Sequence, residues 1–335
     1  MPVATGMTQL ERMGWRPELA AALAALPGPG LAPQRVVSAD RRGVRTSDGA
    51  AEMSAVVPGR LRHRARSRDL PVVGDWVAVR PDPGTVVIEA VLPRRTELAR
   101  RDPDQRSEQV LAANVDTAVL VMGLDGDFNL RRLERYIALV RAASVTPVVV
   151  LSKADLCLEA PARAAEVEAA FPGVPVAALA LLDAGAERPL QPLLAPGATA
   201  VLLGSSGAGK STLLNALIGH PAQRTGSVRE HDSRGRHTTT TRQLFALPRG
   251  ALVIDTPGLR ELELVDAASG LADAFPELAD LAVHCRFRDC RHLDEPGCAV
   301  REAMDAGRVA RDRVDAFRKL SAELSRTDRA PRRRR

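Results

Sequence analysis

Lysine is almost missing from this chain: Lys153, Lys210 and Lys319 are the only three among 47 basic side chains. Positive charge is written as arginine, so the position of each lysine carries information. Aromatic residues are 3% of the 335, which argues against a nucleic-acid surface of stacked rings and leaves such contact to arginine. Four cysteines, three of them clustered late, are too few for a disulfide scaffold and point to a metal site in a reducing compartment. No apolar run approaches the ~18 residues of a membrane helix. The start, with Met7, Glu11 and Arg12, lacks the basic-then-apolar layout of a signal peptide. These absences predict a cytoplasmic protein without a membrane partner. What remains, 45% hydrophobic and 26% charged residues, is a globular composition with length for two or three domains. A net charge of +6 permits a polyanionic partner.

The densest motif is Gly204-Ser205-Ser206-Gly207-Ala208-Gly209-Lys210-Ser211, which fits Gly-x4-Gly-Lys-[Ser/Thr]. An apolar strand candidate (Ala200 to Leu203) precedes it, and a helical pattern (Leu213, Leu214, Leu217, Ile218) follows. Strand, glycine loop and helix is the context a phosphate-binding loop requires, because loop amides and the helix N-terminus together cradle the anion. Lys210 would reach the β- and γ-phosphates, the Ser211 hydroxyl would ligate Mg²⁺, and Thr212 completes the nucleotide-binding stretch.

Asp255-Thr-Pro-Gly258 ends a second apolar run, Ala251 to Ile254. Its carboxylate suits Mg²⁺ through water, and the Gly258 amide suits the γ-phosphate. Ser152-Lys153-Ala154-Asp155 follows the apolar Pro147 to Leu151 and resembles the base-reading Asn-Lys-x-Asp of GTPases. Its aspartate would accept hydrogen bonds from guanine N1–H and the 2-amino group, a pattern adenine does not offer. Two of the three lysines fall inside these motifs, where a compact ammonium suits a point contact with phosphate better than a planar guanidinium.

The order of these motifs is unusual, with the base-reading element ahead of the phosphate loop. That is a circularly permuted GTPase: the same sheet, cut at a different loop. The sequence resembles the ribosome small-subunit-dependent GTPase A family (RsgA) over nearly the whole chain after residue 30. The resemblance is carried by Leu92-Pro-Arg-Arg-Thr96, Ala112-Ala-Asn-Val-Asp116, Asp127-Phe-Asn-Leu-Arg-Arg132, the nucleotide motifs, Gly235-Arg-His-Thr-Thr239 and a late Cys/His cluster.

Four segments follow. Residues 1–30 read as a variable extension with a short helix, Pro17 to Leu26, before Pro27-Gly-Pro-Gly30. Residues 31–95 hold short β-type runs (Arg35–Val37, Met53–Val57, Trp76–Val79, Thr85–Ile88) between Gly, Pro and Asp turns, the spacing of a small barrel. The resemblance specifies an OB-fold. Its segment Arg60 to Arg68 carries five arginines, which reads as a solvated loop or, on a barrel of this kind, as a contact for RNA phosphates.

Residues 96–264 alternate strands and helices, the pattern of a three-layer α/β domain with a largely parallel sheet. Strand candidates are Thr117–Met122, Val148–Leu151, Val174–Ala178, Thr199–Leu203, Gln243–Leu247 and Ala251–Ile254. Apolar positions between Leu130 and Val140 recur at helical spacing. The polar stretch 219–242 suits a switch that orders around the γ-phosphate, with Thr238 or Thr239 as a second Mg²⁺ hydroxyl.

Residues 265–335 hold Cys285-x4-Cys290-x-His292-x5-Cys298, three thiolates and an imidazole that complete a tetrahedral Zn²⁺ shell. The resemblance supplies the same Cys-Cys-His-Cys order. His284 is a decoy beside Cys285, and Cys157 reads as a small buried residue. Val300 to Leu324 is helical in pattern, ahead of the basic tail Arg332 to Arg335.

Three positions depart from the family pattern. Ser152 replaces asparagine. The Ser-Ala of the last guanine-contacting loop has no clear counterpart in Val176 to Asp183. Leu259 stands where many signalling GTPases carry a water-orienting glutamine, which predicts slow unassisted hydrolysis and leaves His237 as the best-placed titratable group in the switch. The resemblance implies a monomeric GTP hydrolase that docks on the small ribosomal subunit and its rRNA in late maturation, with one structural zinc and Mg²⁺ accompanying GTP. Two other readings are a GTP-regulated RNA-binding module with little catalytic role and a P-loop ATPase.

Overall fold

Two short helices precede the first strand. Thr8 and Glu11 form a reciprocal capping box on α1 (Gln9–Arg12), with the Glu11 carboxylate accepting from Thr8 N at 2.7 Å. Helix α2 (Pro17–Ala24) opens on proline and stops two residues short of the predicted end. The computed structural model describes residues 6–40, 43–64, 67–101, 108–205, 207–220, 242–255, 275–287 and 290–328.

Five strands close a barrel: β1 (Ala32–Asp40), β2 (Gly43–Ser47), β3 (Glu52–Val56), β4 (Trp76–Asp82) and β5 (Thr85–Val91). Pairing runs β1–β2–β3–β5–β4 and back to β1, antiparallel except at β3–β5. This is the OB-like closure, and helix α3 (Gly59–Arg64) sits in the chain between β3 and β4. Val36, Val77, Val79, Val86 and Ile88 fill the interior. Strand β2, Gly-Val-Arg-Thr-Ser, is absent from the sequence reading because its first half faces water and gives no apolar alternation.

Outside the barrel, Leu19 of α2 packs on Trp76 and Leu92, and Trp15 meets Trp76 edge-on with centroids 4.7 Å apart. A separate hairpin, β6 (Glu97–Arg101) with β7 (Glu108–Ala113), was likewise hidden by its charged residues.

Strands β8 (Thr117–Gly123), β9 (Thr146–Ser152), β10 (Val176–Leu179), β11 (Thr199–Leu203), β12 (Arg242–Ala246) and β13 (Leu252–Asp255) form a sheet in the order β10-β9-β8-β11-β13-β12. All neighbours are parallel except β12, which runs antiparallel to β13. Every residue of β8 and β11 is buried, as expected for parallel strands covered on both faces. Helix α6 (Lys210–Ile218) contributes Leu213, Leu214, Leu217 and Ile218 to the core that includes Val119, Val148 and Val253. Helix α5 (Ala160–Ala170) precedes β10. At the far edge β12 also pairs with β1, through Ser38↔Gln243 and Ala39↔Arg242, so barrel and sheet share one ladder.

The chain divides into two compact units. The first is Met1–Phe128 with Val145–Glu263, and the second is Asn129–Ser144 with Leu264–Arg335. The second holds helix α4 (Leu130–Ala142), capped by the Asn129 side chain, with α7 (Pro276–Ala282), α8 (Ala299–Asp305) and α9 (Arg311–Asp328). Ala138 of α4 packs with Phe275, Leu278, Val300, Val314 and Phe317. The helical pattern predicted from Val300 is broken between α8 and α9, where Gly307 takes φ +69°.

Candidate nucleotide site and metal centre

The three nucleotide motifs leave the carboxyl ends of three strands of one sheet: Ser152 ends β9, Gly204 follows β11 and Asp255 ends β13. Ligands of open α/β sheets bind at this edge. Gly204, at φ +150°, lies so close to β8 that a Cβ would collide with the Val121 carbonyl. Gly209, at φ +91°, precedes α6, and a Cβ there would come within 3.3 Å of Ser152 Oγ. The loops that follow β9 and β11 therefore touch.

Ser152 makes the tie itself. Fully buried, its hydroxyl donates to the Ala208 carbonyl at 2.6 Å, with the Met122 carbonyl 3.4 Å away. One hydroxyl thus keeps the link between the loops that asparagine would provide. Lys153 follows in the left-handed region (φ +59°) and pairs with Asp125. Ala154-Asp155-Leu156 then turn as a single 3₁₀ segment that leaves the Asp155 carboxylate exposed at the sheet edge.

In the phosphate loop the Lys210 ammonium donates to the carbonyls of Gly204 at 2.8 Å and Ser205 at 2.5 Å. A charged donor folded onto its own loop can exchange those carbonyls for phosphate oxygens without a large movement. Ser205 Oγ donates to Asp127. Ser211 is the second residue of α6, and Asp255 stands at the end of the strand that pairs in parallel with β11. Burial raises the Asp255 carboxyl, and the Lys210 ammonium pulls it back down. A hydroxyl and a carboxylate on adjacent elements form a hard-oxygen donor set that fits Mg²⁺. Ser206, His237, Thr238, Thr239, Gly258 and Leu259 lie outside the described residues. Cys157, expected to be buried, is partly exposed.

In the second unit, the ligand atoms of Cys285, Cys290, His292 and Cys298 all lie within 4.8 Å of one another. His292 Nδ1 is 3.5 Å from Cys285 Sγ and 3.4 Å from Cys298 Sγ, and those two sulfurs are 4.0 Å apart. Tetrahedral zinc with ordinary bond lengths needs about 3.5 Å between sulfur and nitrogen and about 3.8 Å between sulfurs. The set fits. Burial lowers the His292 pKa and so favours the neutral imidazole that binds metal. Burial, with the neighbouring sulfurs, pushes the Cys290 thiol up to about 12, so its thiolate form requires a metal charge beside it. Cys298 is also the N-cap of α8, accepting from Arg301 N at 3.4 Å.

The model of one protein family, described as RsgA GTPase, matches residues 91–265. The small ribosomal subunit biogenesis GTPase RsgA of Opitutus terrae is 48% identical over 328 residues, covering 94% of this chain and 89% of that protein. The chain belongs to the RsgA GTPase family. Among solved structures, YjeQ from Thermotoga maritima superposes with a TM-score of 0.67 at 29% identity, covering 88% of this chain and 99% of that one. YloQ, described as a circularly permuted GTPase, gives 0.61 at 25% identity, covering 91% and 98%.

The structure adds two carboxylates that sequence reasoning did not assign. Asp125 holds Lys153, and Asp127 holds Ser205. Both lie just beyond β8, Asp127 at the start of the stretch noted for its family likeness and Asp125 two residues ahead of it. Their positions, one strand away from each partner motif, were the available signal.

Proposed function

We propose that the protein hydrolyses GTP while docked on the small ribosomal subunit during its late maturation, and that hydrolysis releases it. The observation that carries this reading is the exposed Asp155 carboxylate on the same sheet edge as the phosphate loop, tied to it through Ser152 and Ala208. Adenine offers that carboxylate no matching pair of donors, which disfavours the ATPase reading.

Each group has a stated task. Asp155 accepts from the guanine edge, and Lys210 moves from loop carbonyls to phosphate oxygens. Ser211 and Thr238 or Thr239, with Asp255 through water, would hold Mg²⁺, which would supply neutralisation of phosphate charge. His237 orients the attacking water once the switch closes. Zinc is structural, because four protein ligands leave no open position for chemistry. The barrel contacts rRNA through the arginines between Arg60 and Arg68. Of these, Arg60 and Arg68 pair with Glu89 and Glu97, which presets their direction. The protein acts as a cytoplasmic monomer.

The test is hydrolysis of GTP and ATP by the full chain, with and without purified small or large subunits. Alone, GTP turnover should fall near 10⁻⁴ to 10⁻² s⁻¹, on the order of unassisted GTPases. Small subunits should raise it and large ones should not, and ATP should remain unused. His237→Ala should lose the stimulation and keep GTP binding. Equal use of ATP, or no response to small subunits, refutes the proposal. Subunit binding that follows nucleotide state without turnover would favour the RNA-binding module.

A further inference from the structure

The stretch from Asp127 to Arg132 carries the family likeness, yet the tasks assigned above leave its first residue without one. Asp127 lies half-buried just beyond β8, and its carboxylate accepts from the Ser205 hydroxyl inside the phosphate loop.

That loop needs outside support. Three of the six residues from Gly204 to Gly209 are glycine, so the bare segment has wide conformational freedom and few side chains to limit it. All three glycines sit at positive φ, of +150° for Gly204, +79° for Gly207 and +91° for Gly209. A loop that orders only when a phosphate arrives loses part of its binding free energy to the ordering.

The support is a closed circuit of hydrogen bonds. Leu124 N, at the end of β8, donates to the Ser152 carbonyl at 2.9 Å. The Ser152 hydroxyl donates to the Ala208 carbonyl at 2.6 Å. From Ala208 the chain leads back to Ser205, whose hydroxyl returns to Asp127, a near neighbour of Leu124. Three segments distant in sequence thus close on one another. The phosphate loop is pinned on either side of Gly207, its exposed tip. Ser205 also offers its carbonyl to the Lys210 ammonium at 2.5 Å, so the residue held by Asp127 is one on which the phosphate-binding lysine rests. A carboxylate suits a pin, because a hydrogen bond to an ionised acceptor is about twice as strong as a neutral one.

On the reading that GTP occupies this loop, we propose that Asp127 is a positioning residue for it, fixing Ser205 and with it the phosphate loop in a binding-ready shape before nucleotide arrives. Asp127 touches no substrate atom in this role and acts through Ser205.

The test is equilibrium titration of the full chain with GTP, alongside steady-state turnover and urea unfolding. Asp127→Ala should weaken GTP binding roughly tenfold. Its kcat at saturating GTP should stay within about twofold of the parent, since ordering the loop burdens binding and not chemistry. Asp127→Asn keeps an acceptor for the Ser205 hydroxyl and should recover most of the loss. Ser205→Ala should lose as much as Asp127→Ala, and the double variant no more than either, as two groups acting through one bond require. A purely structural carboxylate would instead lower the urea midpoint of Asp127→Ala and leave GTP affinity where it was, which overturns the inference. Losses that multiply in the double variant, or a fall in kcat with affinity intact, overturn it as well. If the parent chain binds no GTP, the reading of the site fails together with the inference. If the parent binds GTP and Asp127→Ala binds it equally, only the positioning role is lost.

Discussion

In the proposed reading, Asp155 and Ser152 divide one task between a carboxylate that would meet the base and a hydroxyl that holds the loop. Asp155→Asn exchanges an acceptor for a donor, so it should cost GTP more than about tenfold in affinity through lost charge-assisted bonds and improve xanthine nucleotides, measured by competition with a fluorescent guanine nucleotide. Unchanged GTP affinity would remove Asp155 from the site. Ser152→Ala deletes the 2.6 Å bond to Ala208 in a fully buried place. The expected loss is about 1–3 kcal/mol of stability, seen in urea unfolding, together with weaker GTP binding because the phosphate loop loses its brace. If stability falls while nucleotide affinity holds, the brace is purely structural. Sequence alone made this serine look like a deficit. The geometry shows why it is not: Gly209 lets the loop approach within hydroxyl reach, so a longer side chain is unnecessary.

Among the elements, α8 and α9 would depend most on a metal in the Cys/His cluster. Cys298 is both a member of that cluster and the cap of α8, and the His292 ring lies 5.5 Å from that of Phe317 of α9. Structural zinc contributes about 10–16 kcal/mol to small domains, as much as a whole domain's typical stability of roughly 5–15 kcal/mol. Chelation or Cys290→Ser should therefore melt the second unit's helices in circular dichroism while GTP binding persists. Freshly purified protein should carry about one zinc per chain by metal analysis. Helix α4 adds a pH response. Burial pushes the Glu134 carboxyl up to about 7 against the pull of Arg313, with Glu277 adding to the rise. Its folded value lies above the unfolded one, so between about pH 4.5 and about pH 7 the native state holds the extra proton and stability falls as pH rises. Glu134→Gln should flatten that slope in thermal unfolding of the zinc-loaded protein, and an unaltered slope would assign it elsewhere.

For the molecule as a whole, Lys210→Ala should abolish nucleotide binding in equilibrium titrations and leave the far-ultraviolet spectrum intact, because the ammonium donates to two carbonyls of a loop rather than of a core strand. A spectrum that collapses would make the lysine structural. Much of this architecture was legible beforehand. Uniform apolar runs gave β8, β9 and β11, glycine spacing gave the turn between β11 and α6, and cysteine spacing gave the Cys/His cluster. Half-exposed strands such as β2, and the charged hairpin of β6 and β7, left no periodic trace. Neither did the bonds from Asp125 and Asp127, or the grouping of α4 with the C-terminal helices, since these arise only when distant segments meet.

The pairing of β1 with β12 has a consequence in time. Its partners, Ser38 and Gln243, stand more than two hundred residues apart, whereas the five barrel strands lie within the stretch from Ala32 to Val91. A chain emerging from its own synthesis can close the barrel early from near neighbours. It must then keep the outer edge of β1 unpaired until β12 arrives, because distant pairings form only after the intervening loop is closed. The barrel is thus a finished module awaiting a strand, and that strand is made only after the phosphate loop.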